Sequence, residues 1–107
     1  MKRYGQVVRV KPERYQEYVD CHRNIWPGVA ATIRDCNIRN YSIYHWDGIL
    51  FAYMEYVGDD FEGDMTKMAA DPETQRWWDY VKPMHIPLEE RAPGEWWMNL
   101  QEIFHLD

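Results

Sequence analysis

Tyr18 and His22 stand four residues apart, so on a helix their side chains share one face and can touch. An imidazole that titrates near neutrality, beside a phenol, can give and take protons in both directions, as general acid/base work requires. The plain alternative is a packed aromatic stripe with a satisfied histidine in it. Trp77-Trp78 forms a second constellation. Neighbours on a helix point about 100° apart, so one indole belongs in a core and the other toward a pocket or partner. Indole faces suit the C–H face of a sugar ring, and the indole N–H donates to a hydroxyl. Helix packing with a dimer contact uses the pair equally well. His45, His85 and His105 lack metal-ligand spacing, although His45 and His105 fall on separate predicted strands that can meet across a sheet. No metal site is expected. Cys21 and Cys36 have no CxxC partner and read as ordinary thiols. There is no glycine-rich phosphate loop, GxSxG elbow or catalytic carboxylate pair, which argues against nucleotide cofactors and phosphorylated substrates.

Elements must position these side chains, and 107 residues allow one domain, taken as residues 1–107. A net charge of −6 disfavours a nucleic-acid partner. The apolar runs are too short for a membrane span, and the start MKRYGQVV lacks the apolar stretch of a signal peptide. A cytoplasmic protein with no membrane partner is expected. Arg3 to Val10 alternates weakly and reads as a first strand, with Tyr4, Val8 and Val10 on one face. Helical spacing runs from Glu13 through Tyr15, Tyr18, Val19, His22 and Trp26, broken at Arg23 to Trp26 because Pro27 cannot sit in mid-helix. A short second helix carries Val29, Ala30 and Ile33, with Asn37 as its left-handed cap. Residues 38–46 and 49–57 read as a hairpin around Asp47-Gly48. Asp59 or Asp60 caps a helix bearing Phe61, Met65 and Met68, and Asp71-Pro72 restarts it through Trp77, Trp78 and Val81 to Pro83. Residues 83–95 read as a surface loop and 96–106 as the last strand. The order β-α-β-β-α-β predicts an α+β, ferredoxin-like fold with helices on one face of an antiparallel sheet. The uncovered face calls for a homodimer contact or a ligand pocket.

Several stretches taken together are more specific. HRNIWPG at His22 to Gly28, RNYSIY at Arg39 to Tyr44, QRWWDY at Gln75 to Tyr80 and LQEIFHL at Leu100 to Leu106 resemble the L-rhamnose mutarotase family. The match keeps its order from the first strand to the C-terminus and is poor only over 83–95. The resemblance implies a dimeric α/β-barrel of ferredoxin-like domains. It also implies an isomerase that interconverts the α and β anomers of a 6-deoxy sugar pyranose, L-rhamnose foremost, without a cofactor. By resemblance the proton donor falls on His22, and the sugar contacts fall on Tyr18, Tyr41, Trp77 and Trp78. In the family, Asn-Pro usually follows the histidine, where this chain has Arg23-Asn24, and an acidic residue stands in place of Gly28. IPLEERAPGEWW also departs from the better-known members.

With those roles, His22 would move protons between the ring oxygen and the anomeric hydroxyl, while Tyr18 orients it or relays a proton. Trp77, Trp78 and Tyr41 would hold the ring and its methyl group. Three alternatives stay open on sequence: L-fucose or another 6-deoxy sugar as substrate, a cofactor-free monooxygenase of the same architecture, and a small-molecule-binding dimer without catalysis.

Overall fold

Prolines, caps and an Asp-Gly turn set most of the breaks between elements, and together these bring one face of a sheet against the helices. A computed structural model describes residues 1–107. Strand β1 is Lys2–Val10, followed by a 3₁₀ turn at Pro12–Arg14 and helix α1, Tyr15–Arg23. Trp26 is extended (ψ 129°) and Pro27 opens α2, Pro27–Asp35, a position where the missing N–H costs nothing. Asn37 takes the left-handed conformation (φ 67°) that closes α2. Strands β2, Ile38–Trp46, and β3, Ile49–Tyr56, flank Asp47 and Gly48, which both have positive φ, as the tight hairpin turn requires.

Helix α3, Phe61–Ala70, is capped by the Asp60 carboxylate accepting from the Gly63 amide. Helix α4, Pro72–Val81, is capped by Asp71, which accepts from both the amide and the hydroxyl of Thr74. Such caps contribute about 1 kcal/mol each.

The sheet is antiparallel in the order β2-β3-β1. The far edge of β1 is shared by β4, His85–Ile86, opposite Arg9 and Val10, and by β5, Met98–Leu100, opposite Gly5 to Val7. Val8, Val10 and Leu50 from the strands pack on Tyr18, Val29, Trp77 and Val81 from the helices. Ile38, Met54 and Tyr56 form a second cluster, against Phe61 and the methionines of α3. The opposite face leaves Tyr44, Trp46 and Phe51 exposed, so the helices cover one face.

Two expectations need correction. The last strand is three residues, not 96–106, and 101–107 have no regular structure. Their β-forming side chains lack a partner strand here, and Ile103, Phe104 and Leu106 are exposed. The segment 83–95 is not merely a surface loop. It contains a 3₁₀ turn and β4, and it buries Met84 and His85.

Candidate active site

Between the sheet and helices α1, α2 and α4 lies a cavity of about 800 Å³, lined by all five residues that the resemblance singles out. That volume is in the range of small-molecule sites. Tyr18 and His22 pack against each other on one face of α1, rings tilted by 32° and centroids 4.1 Å apart. Tyr18 meets His22 through its ring and its carbonyl, not its hydroxyl: His22 Nδ1–H donates to the Tyr18 carbonyl oxygen at 2.7 Å. In the neutral imidazole this leaves Nε2 as an acceptor, and no group of the chain bonds to it. Burial pushes the His22 pKa below its ordinary value, and the carbonyl contact partly restores it.

The two tryptophans divide as the helical angle requires. Trp77 is buried, edge-on to His22 and Trp26. Trp78 is half-buried, with the Lys82 ammonium 4.6 Å over its ring.

Tyr41 reaches the cavity because β2 carries a bulge. Arg39 pairs with Glu55 and Ser42 with Tyr53, so β2 has one residue more than β3 between these pairs. Asn40 absorbs it with φ 49° and donates from its amide to Glu55 at 2.6 Å. Side chains alternate across a strand, so without the extra residue Tyr41 would face outward with Tyr53. Tyr41 is 42 % exposed as a whole, but the desolvation of its hydroxyl raises its pKa to about 12. Burial raises that of Tyr18 further still, with the Tyr41 hydroxyl close enough to add to it. Both remain neutral phenols, suited to hydrogen bonding rather than to losing protons.

Strand β1, β5 and the segment read as a loop bring polar groups to the cavity to which the sequence gives no role. The Gln6 amide donates to Asn99 Oδ1 at 2.8 Å, and both line the cavity beside Glu95. His85, 6 % exposed, stands 2.9 Å from the Tyr18 hydroxyl through Nε2 and accepts from the Trp96 indole at Nδ1. The one available signal was a histidine and two tryptophans inside a proline-rich stretch.

His45 and His105 do not meet. His45 stacks on Tyr15 at the β2 edge and accepts from the Gly48 amide, whereas His105 bonds Asp107 in the tail. No group of three or more His, Cys, Asp and Glu side chains is placed to hold a metal ion.

At two of the departures near His22 the structure shows what stands in their place. The Asn24 amide donates to the Asp20 carbonyl at the end of α1. The Glu73 carboxylate of α4 occupies the space where a side chain at Gly28 would stand.

A small α+β fold holding an imidazole, phenol hydroxyls and indole faces around one cavity has the make-up of a small-molecule site. Comparisons with known proteins narrow that class to one family. The family model described as L-rhamnose mutarotase matches residues 3–106. The L-rhamnose mutarotases of Lactiplantibacillus plantarum and Bacillus subtilis are 34% and 33% identical, with 100% of each chain covered in both comparisons. The chain belongs to the L-rhamnose mutarotase family. Two solved structures share its fold: an L-rhamnose mutarotase from Formosa agariphila (TM-score 0.78, 21% identity, both chains fully covered), and tetracenomycin F2 cyclase from Streptomyces glaucescens. The cyclase has a TM-score of 0.75 and 11% identity, with 100% of this chain and 98% of that one covered.

Proposed function

We propose that the protein interconverts the α and β anomers of L-rhamnose without a cofactor, with His22 as acid/base and Tyr18, Tyr41, Trp77 and Trp78 as sugar contacts. The observation that carries this reading is the tautomer at His22: its N–H is held by the Tyr18 carbonyl, leaving an Nε2 lone pair for substrate. Relatives named for L-rhamnose over their full length support the choice of sugar.

Mutarotation removes a proton from the anomeric hydroxyl and delivers one to the ring oxygen as the C1–O5 bond breaks. The aldehyde then turns about C1–C2 and recloses on its other face. Both oxygens hang on C1, so one imidazole can serve both. Neutral His22 takes the hydroxyl proton at Nε2, and the imidazolium returns it to the ring oxygen. Its lowered pKa keeps the base form populated at pH 7. The Tyr18 hydroxyl donates to the oxygen that carries developing charge, while Trp78 and Tyr41 hold the ring.

Saturation-transfer NMR at the anomeric protons tests the reading. Catalysed exchange of L-rhamnose is expected, with slower exchange of L-fucose. Exchange of neither sugar above the buffer rate would refute it.

The proposal extends to a cytoplasmic homodimer. No helix is long and apolar enough to cross a membrane. The outer sheet face exposes Tyr44, Trp46 and Phe51, and the tail exposes Ile103, Phe104 and Leu106. Covering these against a second copy should bury more than ~1,200 Å² in total. Light scattering that gives a monomer at micromolar concentration removes this part.

A further inference from the structure

The Tyr18 hydroxyl has a partner that neither the acid/base reading nor the sugar contacts use. An indole nitrogen carries a hydrogen and no lone pair for accepting. Trp96 Nε1–H therefore donates to His85 Nδ1, at 2.9 Å, and Nδ1 must be unprotonated. A neutral imidazole then has its one hydrogen on Nε2, which lies 2.9 Å from Tyr18 Oη. That hydrogen points at the phenol, so Tyr18 Oη accepts. The phenol's own hydrogen cannot lie on the same line and must turn away from His85.

The chain of donors thus runs in one direction: indole to imidazole to phenol to whatever occupies the cavity. Without Trp96, the imidazole could carry its hydrogen on Nδ1. Tyr18 would then donate to His85 and offer a substrate only lone pairs.

His85 is well held for this task. It opens β4 opposite Val10, and its ring packs against those of Tyr18 and Trp97, with centroids 5.1 and 5.4 Å away. Lys82 Nζ lies 5.4 Å over the Trp96 ring and 4.6 Å over that of Trp78, a positive charge that disfavours a second proton on His85.

We propose that His85 and Trp96 are positioning residues for the anomerisation: together they fix the Tyr18 hydroxyl as a hydrogen-bond donor to a sugar oxygen. This rests on the reading of Tyr18 as a substrate contact given above. It assigns a task to the segment that departs most from the family's better-known members.

Two measurements test it. Nitrogen-15 NMR of the histidines at pH 7 should find His85 protonated at Nε2 and bare at Nδ1. Finding the Nδ1–H tautomer or the imidazolium overturns the proposal. The second is a double-mutant cycle on L-rhamnose exchange, scored per folded molecule. His85→Phe should lower kcat roughly 3- to 10-fold, the loss of one oriented hydrogen bond, with KM less affected. In the Tyr18→Phe background the same change should do nothing further, because its target is gone. Trp96→Phe keeps an aromatic side chain without the N–H donor and should behave alike, slower alone and silent behind Tyr18→Phe, which covers the case of His85→Phe failing to fold. Independent, multiplying losses overturn the proposal alone. Exchange unaltered by Tyr18→Phe itself overturns the reading of the site, and this proposal with it.

Discussion

Helix α1 and the stretch from Pro83 to Trp97 both place side chains against Tyr18, by opposite means. In α1 everything is local: His22 is set by a hydrogen bond to a carbonyl four residues earlier. In the other stretch regular structure is slight, and His85 is set by partners 11 and 67 residues away. A helix fixes geometry through its own repeat, and its side chains can be changed one at a time. An irregular segment fixes geometry through a network, and removing one member loosens the others.

Breaking the local half should have the largest effect. His22→Ala should slow anomer exchange by ~10²–10⁴-fold while shifting the melting temperature little, since its one backbone partner is a helical carbonyl. A large loss of stability, with exchange per folded molecule unchanged, would make His22 a packing residue instead.

Next come the tryptophans on α4. Trp77→Ala empties a site between His22, Trp26 and Tyr80 and should cost about 3–5 kcal/mol in denaturant titrations. Trp78→Ala should cost far less stability and show itself in weaker sugar binding. Equal stability losses for the two would contradict the division of roles.

The network half has a pH signature. Burial, then His22 and Lys82, lower the His85 pKa from 6.5 to about 4. Below pH 6.5 the unfolded chain binds the proton more readily than the folded one, so folded-state stability falls as pH drops. The loss runs from pH 6.5 to about 4 and reaches about 3 kcal/mol from this group. His85→Phe should flatten that part of the stability curve; a wild-type curve already flat there would show that the site is open to protons.

The smallest effect is expected at the bulge. Asn40→Val places a branched side chain at φ 49° and should cost about 1–2 kcal/mol, with a further rise in KM as Tyr41 is displaced. Unaltered stability and KM would mean that the bulge does not depend on Asn40.

Most of what positions Tyr18, His22, Trp77 and Trp78 was legible along the chain. Periodicity, the prolines at helix starts, the aspartate caps and Asp-Gly act over a few residues, so a short window contains both cause and effect. The bulge was not legible, because one asparagine among β-forming residues leaves the pattern of a plain strand intact. His85 was missed for a different reason: its contacts are made only once β4, α1 and Trp96 come together. The final strand was overread because 101–107 have the side chains of a strand but, in this chain alone, no neighbour with which to form one.

The six tryptophans also make the molecule its own optical probe. Trp77, Trp78, Trp96 and Trp97 line the cavity and Trp26 packs on Trp77, while Trp46 alone stands on the outer face, 73 % exposed. Indole emission moves to longer wavelength as its surroundings become more polar. Trp46 should therefore supply the red edge of the spectrum, and Trp46→Phe should remove it. What remains would report the filling of the cavity by sugar, and in the unaltered protein the red edge would report contact between copies. One spectrum then separates the occupancy of the inner face from events on the outer one, with no added dye.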